Sequence, residues 1–223
     1  MTTPVRVRYQ TIEIGSTDIH LCTLRDKQEF SDPNDVAKNL GINDALWSLF
    51  GVVWPSSVVL AHYMDDYATD SKRILEIGCG MALTSLMLNK QHANITATDY
   101  HPEAGLFLQR NTELNHDADI QYERADWSED SDTLGRFDLI IGSDLLYEDE
   151  HVEQLAKFIE HHSQPNCEVV LVDPGRGRKN KLGMQMEKYG YQSEQAKPAH
   201  TDYLEAPFKG YVLKYWRADT QNA

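Results

Sequence analysis

The stretch ILEIGCGMALTSLMLNK (residues 74–90) decides the reading of this chain. It reads as a strand that breaks at glycines and restarts as a helix. A strand running through a glycine turn into a helix cradles a small ligand at the helix N-terminus. A dinucleotide fingerprint would place a third glycine at position 83, where its lack of a side chain lets helix and strand pack closely. Leu83 stands there instead. Glu76, two residues before Gly78, lies where a pyrophosphate would sit. A carboxylate about 5 Å from a phosphate costs roughly 3 kcal/mol at an effective dielectric near 20. The turn of Gly78 and Gly80 therefore suits a ligand carrying positive charge. Asp99 closes the next strand, ITATD, where an acidic side chain can take both hydroxyls of a ribose; its alternative role is to cap the helix that follows.

Working outward, strand patterns fall at residues 73–77, 95–98, 120–124, 138–142 and 169–172, with helical patterns at 83–91, 102–115, 150–162 and 183–189. Strands alternating with helices predict βαβ units and a mostly parallel sheet. Two further runs, at 191–194 and 211–216, predict an antiparallel pair at the sheet edge. Upstream, residues 5–14 and 19–24 flank a turn and read as a hairpin. Residues 32–50 read as loop and short helix, and Pro55 suits the first turn of a helix reaching Tyr67. One domain over 1–223 is expected, with an N-terminal hairpin and helix extension (1–70) and a ligand-binding core (71–223).

Bulk properties narrow the classes. The 223 residues are 41% hydrophobic and 25% charged, the balance of a soluble globular protein. No uninterrupted apolar run reaches the roughly 20 residues of a membrane span, and the first ten residues lack a signal-peptide core. Cys22, Cys79 and Cys167 lie far apart, an odd count that fits a reducing cytoplasm. The net charge of −14 argues against a surface that tracks nucleic-acid phosphates and leaves room for a basic peptide partner. The nine histidines show no ligand spacing, so no metal is expected.

LEIGCG, the TD ending the second strand, and the order of elements resemble the class I, seven-stranded S-adenosylmethionine-dependent methyltransferases. GVVWPSSVVLAHYM (51–64) and IIGSDLLYEDEHVEQL (140–155) narrow the resemblance to methyltransferase family 16, which includes lysine-specific enzymes acting on proteins. It implies an α/β, Rossmann-like, doubly wound seven-stranded sheet, with S-adenosylmethionine as cofactor, a protein lysine as acceptor and a monomeric enzyme. A small-molecule amine acceptor, or a non-catalytic cofactor-binding partner protein, are the alternatives.

Carried over residue by residue, the resemblance places Trp54 of the W-P segment beside the cofactor, though a core tryptophan would read the same. It sets Asp126 and Trp127 of RADW around the adenine. Ser143 closes the fourth strand, and Asp144 and Tyr147 match the D-x-x-Y motif beside the methyl group and the entering amine. Asp144 could instead cap the helix that begins in the acidic cluster Glu148, Asp149 and Glu150. The family's glycine motif often reads E-x-G-x-G-x-G; this chain ends it in Ala82. A basic run, Arg176, Arg178, Lys179 and Lys181, follows the fifth strand in VDPGRGRKNK, either as a solvated loop or as a contact for an acidic partner.

Overall fold

Residues rich in valine, isoleucine and leucine, mostly buried, form the inner strands of one central sheet, as a parallel sheet covered by helices requires. The computed structural model describes residues 5–129, 133–147 and 149–217; residues 1–4 of the N-terminal stretch and Glu148 of the acidic cluster lie outside it. A hairpin opens the chain, β1 (Val7–Ile14) and β2 (Thr17–Leu24). Two short helices, α1 (Val36–Asn39) and α2 (Asp44–Trp47), and a 3-10 turn lead to α3 (Pro55–Asp65). The alternating core runs β3 (Arg73–Ile77), α4 (Leu83–Lys90), β4 (Asn94–Asp99), α5 (Ala104–Asn115), β5 (Gln121–Arg124) and β6 (Phe137–Ser143). It continues with α6 (Asp149–His161), β7 (Ser163–Asp173), α7 (Lys179–Lys188), β8 (Tyr191–Ala196) and β9 (Tyr211–Arg217).

The seven-stranded sheet has the order β5-β4-β3-β6-β7-β9-β8. β3 pairs in parallel with β4 on one side and β6 on the other, so the order reverses at β3 and opens a crevice at its carboxyl end. The closing pair is antiparallel, as expected. Its members are not both at the edge, however: β9 inserts between β7 and β8, antiparallel to each. The N-terminal hairpin is tied to α5 by side chains that satisfy its backbone, with Asn111 and Asn115 accepting from the amides of Cys22 and His20 at 2.7 and 2.9 Å.

Two boundaries differ from the sequence reading for identifiable reasons. β7 begins at Ser163, well before the apolar run, because Gln164, Pro165 and Asn166 look like loop. Pro165 is tolerated because β9 pairs only with residues 168–173 and a register shift loosens β6 there. α7 begins at Lys179, so half of the basic run is helix rather than loop. Residues 44–65 taken as one window are apolar enough to span a membrane by length and composition, but α2, the 3-10 turn and α3 divide them and half the window is buried in the protein.

Ala82 sits at φ +55° at the start of α4, in the left-handed region where glycine is unstrained. The strain costs an alanine about 1–2 kcal/mol. Its fully buried methyl and the greater chain entropy of glycine offset most of that, each by roughly 0.5–1 kcal/mol. Alanine is therefore a workable end to the motif.

Candidate active site

The carboxyl ends of β3, β4, β6 and β7 meet in the crevice. Gly78 and Gly80 take φ +60° and +53°. A side chain at Gly78 would meet Leu145 at 2.5 Å and lie 3.9 Å from the Trp127 ring; one at Gly80 would meet the Phe50 carbonyl at 3.0 Å. The turn is thus walled by Leu145 and Trp127 on one side and by Phe50 on the other. Asp99 fastens it: one carboxylate oxygen accepts from the Gly80 amide at 2.8 Å, the other from the His101 amide at 2.8 Å. Burial pushes the Asp99 carboxyl above its ordinary range, although both amides oppose the shift. Part of the residue stays open to solvent, leaving lone pairs for a hydroxyl ligand.

Glu76 is 2% exposed and points back at the first turn of α4, where its carboxylate accepts from the Ser85 amide at 2.9 Å and from the Ser85 hydroxyl. It therefore satisfies two donors at a helix start that Ala82 cannot cap. Burial raises its pKa from 4.5 to about 7, with the Ser85 bonds opposing. Near neutral pH the folded, ligand-free protein therefore carries the neutral form far more often than an ordinary glutamate would. Its contribution to stability is full below pH 4.5 and is lost as pH climbs through about 7; about 3 kcal/mol is at stake. Thermal melts from about pH 5 to 8 should decline more steeply for the wild type than for Glu76→Gln, which keeps the acceptor but cannot ionise. A cationic ligand favours the ionised form, so its affinity should rise with pH across the same window in the wild type only. Parallel profiles for the two proteins would remove Glu76 from this role.

Trp127 is half-buried, packs on the β6–α6 core and meets His151 edge-on at 6.0 Å. The amide of Ala125 donates to the Asp99 carbonyl at 3.1 Å and so draws the following Asp126–Trp127 pair to the crevice. Asp126 uses one oxygen to hold the amide and hydroxyl of Ser128, at 2.8 and 2.7 Å. Trp54 lies beside Phe50, the residue that walls the glycine turn at Gly80. It packs in the cluster of Phe50 and Met81, its indole donates to the Leu49 carbonyl at 2.9 Å, and the Lys27 ammonium lies 3.9 Å from its ring centre. The cation on its face is one of the chain's own.

Ser143 ends β6 partly exposed, in register with Val172. Asp144 follows at φ +56°, 5% exposed, its amide donating to the Val172 carbonyl at 2.8 Å. Its carboxylate accepts from the Nε of Arg176. The same guanidinium lies 4.3 Å from the Tyr147 ring centre. Burial and the Asp144 charge push the Tyr147 hydroxyl up to about 12, so the ring stays neutral. The remaining basic residues are also spoken for: Arg178 and Lys181 pair with Asp149 at 2.8 and 2.6 Å, and Lys179 bonds Gln195. Of the run's four cations, Arg176, Arg178 and Lys181 are ion-paired and Lys179 is hydrogen-bonded to a neutral side chain. Among the described residues no group of three or more histidine, cysteine or acidic side chains could hold a metal ion.

A family model described as lysine methyltransferase matches residues 37–187. The chain belongs to this lysine methyltransferase family. Within the family it is 32% identical over 136 residues to the protein N-lysine methyltransferase METTL21A of Danio rerio, covering 56% of this chain and 62% of that one. It is 31% identical over 125 residues to the histone-arginine methyltransferase METTL23 of Rattus norvegicus, covering 52% and 55%. The chain thus spans somewhat more than half the length of these curated relatives. Its fold is shared with the 16S rRNA N2 G1207 methyltransferase RsmC of T. thermophilus, solved with AdoMet and guanosine, at a TM-score of 0.62 and 15% identity, over 96% of this chain and 52% of that one. The family match contains the glycine turn, Asp99, the RADW segment, the D-x-x-Y motif and the basic run.

Sequence reasoning passes over three partners that the fold supplies: Ser85 for Glu76, Arg176 for Asp144, and Asp173, a buried acid at the end of β7. The strand-end logic applied to Asp99 would also pick out Asp173, since VDPG repeats the pattern of an acid closing a parallel strand.

Proposed function

We propose that the chain transfers the methyl group of S-adenosylmethionine to the side-chain nitrogen of a lysine in a protein substrate. The observation that carries this reading is the Asp144–Tyr147 pair, which holds a cationic side chain at the strand end next to the glycine turn. The crevice suits the cofactor: a turn too tight for side chains, a carboxylate in Asp99 with lone pairs to spare, a tryptophan wall, and a buried glutamate whose ionisation a cation would favour. When bound, the cofactor supplies an activated methyl group, so the protein's task is positioning and proton handling. Asp99 would hold the ribose, Trp127 and Asp126 the adenine, and Trp54 would wall the site. A lysine amine with a pKa near 10.4 arrives as ammonium and must shed a proton before it can attack. Asp144 would orient that nitrogen and help a water take the proton, while the neutral Tyr147 ring lines the entry.

The net charge of −14 supports attraction of a basic protein segment; a monomeric enzyme in a reducing, cytoplasmic compartment is part of the same proposal. The reading calls on neither nucleic acid nor membrane. Calorimetry with S-adenosylmethionine and its demethylated product should show binding, and NAD should not bind. Incubation with methyl-labelled cofactor and a cell lysate should then label a protein band, with the label on lysine. Label confined to small molecules would shift the acceptor class, and NAD binding without response to either methyl-cycle ligand would end the proposal.

A further inference from the structure

Asp144 and Asp173 end neighbouring strands, β6 and β7, and both are almost wholly buried, at 5% and 2% exposure. One oxygen of Asp173 accepts from the Gly175 amide at 2.9 Å; the other is buried and has no hydrogen-bond partner. Two buried carboxylates facing one crevice require a compensating cation. Arg176 provides it, with its Nε on Asp144 and its guanidinium on the Tyr147 ring at 4.3 Å; burial, with the Asp144 charge adding to it, still holds the Asp173 carboxyl above its ordinary range.

Arg176 is also built to move. Gly175 and Gly177 flank it at φ +102° and +83°. A side chain at Gly177 would meet nothing within 4 Å, and one at Gly175 would find only the Lys209 carbonyl at 4.0 Å. Beyond them the chain is held, by β7 up to Asp173 and by the Arg178–Asp149 pair. A swing is therefore confined to one short segment between fixed ends. Arg176 itself keeps a third of its side chain in solvent, so an outward path is open.

We propose that the Arg176 guanidinium stands in the seat of the acceptor's cationic side chain, and that a substrate cation enters by displacing it, to lie between Asp144 and Asp173 against Tyr147. This deepens the lysine methyltransferase reading and rests on it. The device makes selection sharper. A neutral side chain cannot replace the charge that two buried carboxylates demand, whereas an unbranched ammonium can. With the seat open, the unpartnered oxygen of Asp173 gains a donor, and the freed guanidinium returns to water.

The test uses n-butylammonium, the side chain of lysine without its backbone, titrated into the full chain and followed by calorimetry or NMR, with n-butanol as the neutral control. A ligand that must wait for an internal occupant binds more weakly by the fraction of time the seat is open. Arg176→Ala should therefore bind n-butylammonium about tenfold or more tightly than the wild type, n-butanol should bind neither, and Arg176→Ala/Asp144→Asn should lose the gain. Should Arg176→Ala not fold, Arg176→Gln takes its place in the same titration. Equal affinity in wild type and variant, or no binding by a folded variant, would overturn the inference and make Arg176 a fixed strut. S-adenosylmethionine binding to the wild type is measured alongside. Its absence sinks the methyltransferase reading, while its presence with no gain in n-butylammonium affinity sinks only the displacement.

Discussion

Asp144→Asn should lower methyl transfer by about 100-fold or more, the scale of proton-handling and positioning effects, while S-adenosylmethionine affinity changes little. Asparagine is the appropriate replacement on two grounds. Asp144 sits at φ +56°, where asparagine is tolerated better than most residues, so the backbone need not move. The amide oxygen also still accepts from Arg176, so the loss reports the missing charge rather than a collapsed site. Part of the turnover should return at high pH, where more of a lysine acceptor is already neutral. The check is a pH–rate profile on the labelled acceptor beside a calorimetric titration of the cofactor. Near-normal turnover at neutral pH would leave Asp144 as a structural anchor for Arg176 alone.

Asp99→Ala should act on the other half of the reaction, weakening cofactor binding by about 1.5–3 kcal/mol, the usual cost of losing hydrogen bonds to a charged group. The fold adds a second consequence. Asp99 holds the amides of Gly80 and His101, and alanine strands both. The variant should therefore also melt earlier, with a loss on the order of 1–3 kcal/mol for the unmet donors. Asp99→Asn separates the effects, since its amide can hold only one of the two donors as an acceptor. Wild-type affinity in Asp99→Ala would show that the carboxylate serves the turn and not the ribose.

Residues that act through local periodicity are legible in the amino-acid order itself. The apolar run of Ile74, Leu75 and Ile77, the break at Gly78 and the helical pattern from Leu83 each report on neighbours within a few positions, and the βαβ order follows from repeating that pattern. Asp99, Trp127, Asp144 and Tyr147 are legible as candidates because parallel strands deliver their last residues to one edge. Charge pairing is not. Arg176 and Asp144 are 32 residues apart, and only the adjacency of β6 and β7 makes them partners. Lys27 and Trp54, both within the extension, likewise meet only through the fold, and the basic run reads as free because Asp149 lies on a different helix. The early start of β7 is hidden by polar residues whose extended form depends on pairing with Phe137, not on their own preference.

The position of β9 bears on how the molecule assembles. The strand with which β7 shares its free side follows every other strand described, and among the described residues β8 has no other partner in the sheet. During synthesis β7 therefore emerges with a valine- and leucine-rich edge that nothing can cover until Tyr211–Arg217 has left the ribosome. Such an edge templates pairing with other chains. Loss of the last seven described residues would remove one strand from the count and two interfaces from the sheet, releasing β8 and uncovering β7 together. Closure of the sheet across β7 and β8 is thus expected to wait for β9, with aggregation of chains that lack β9 as the competing outcome.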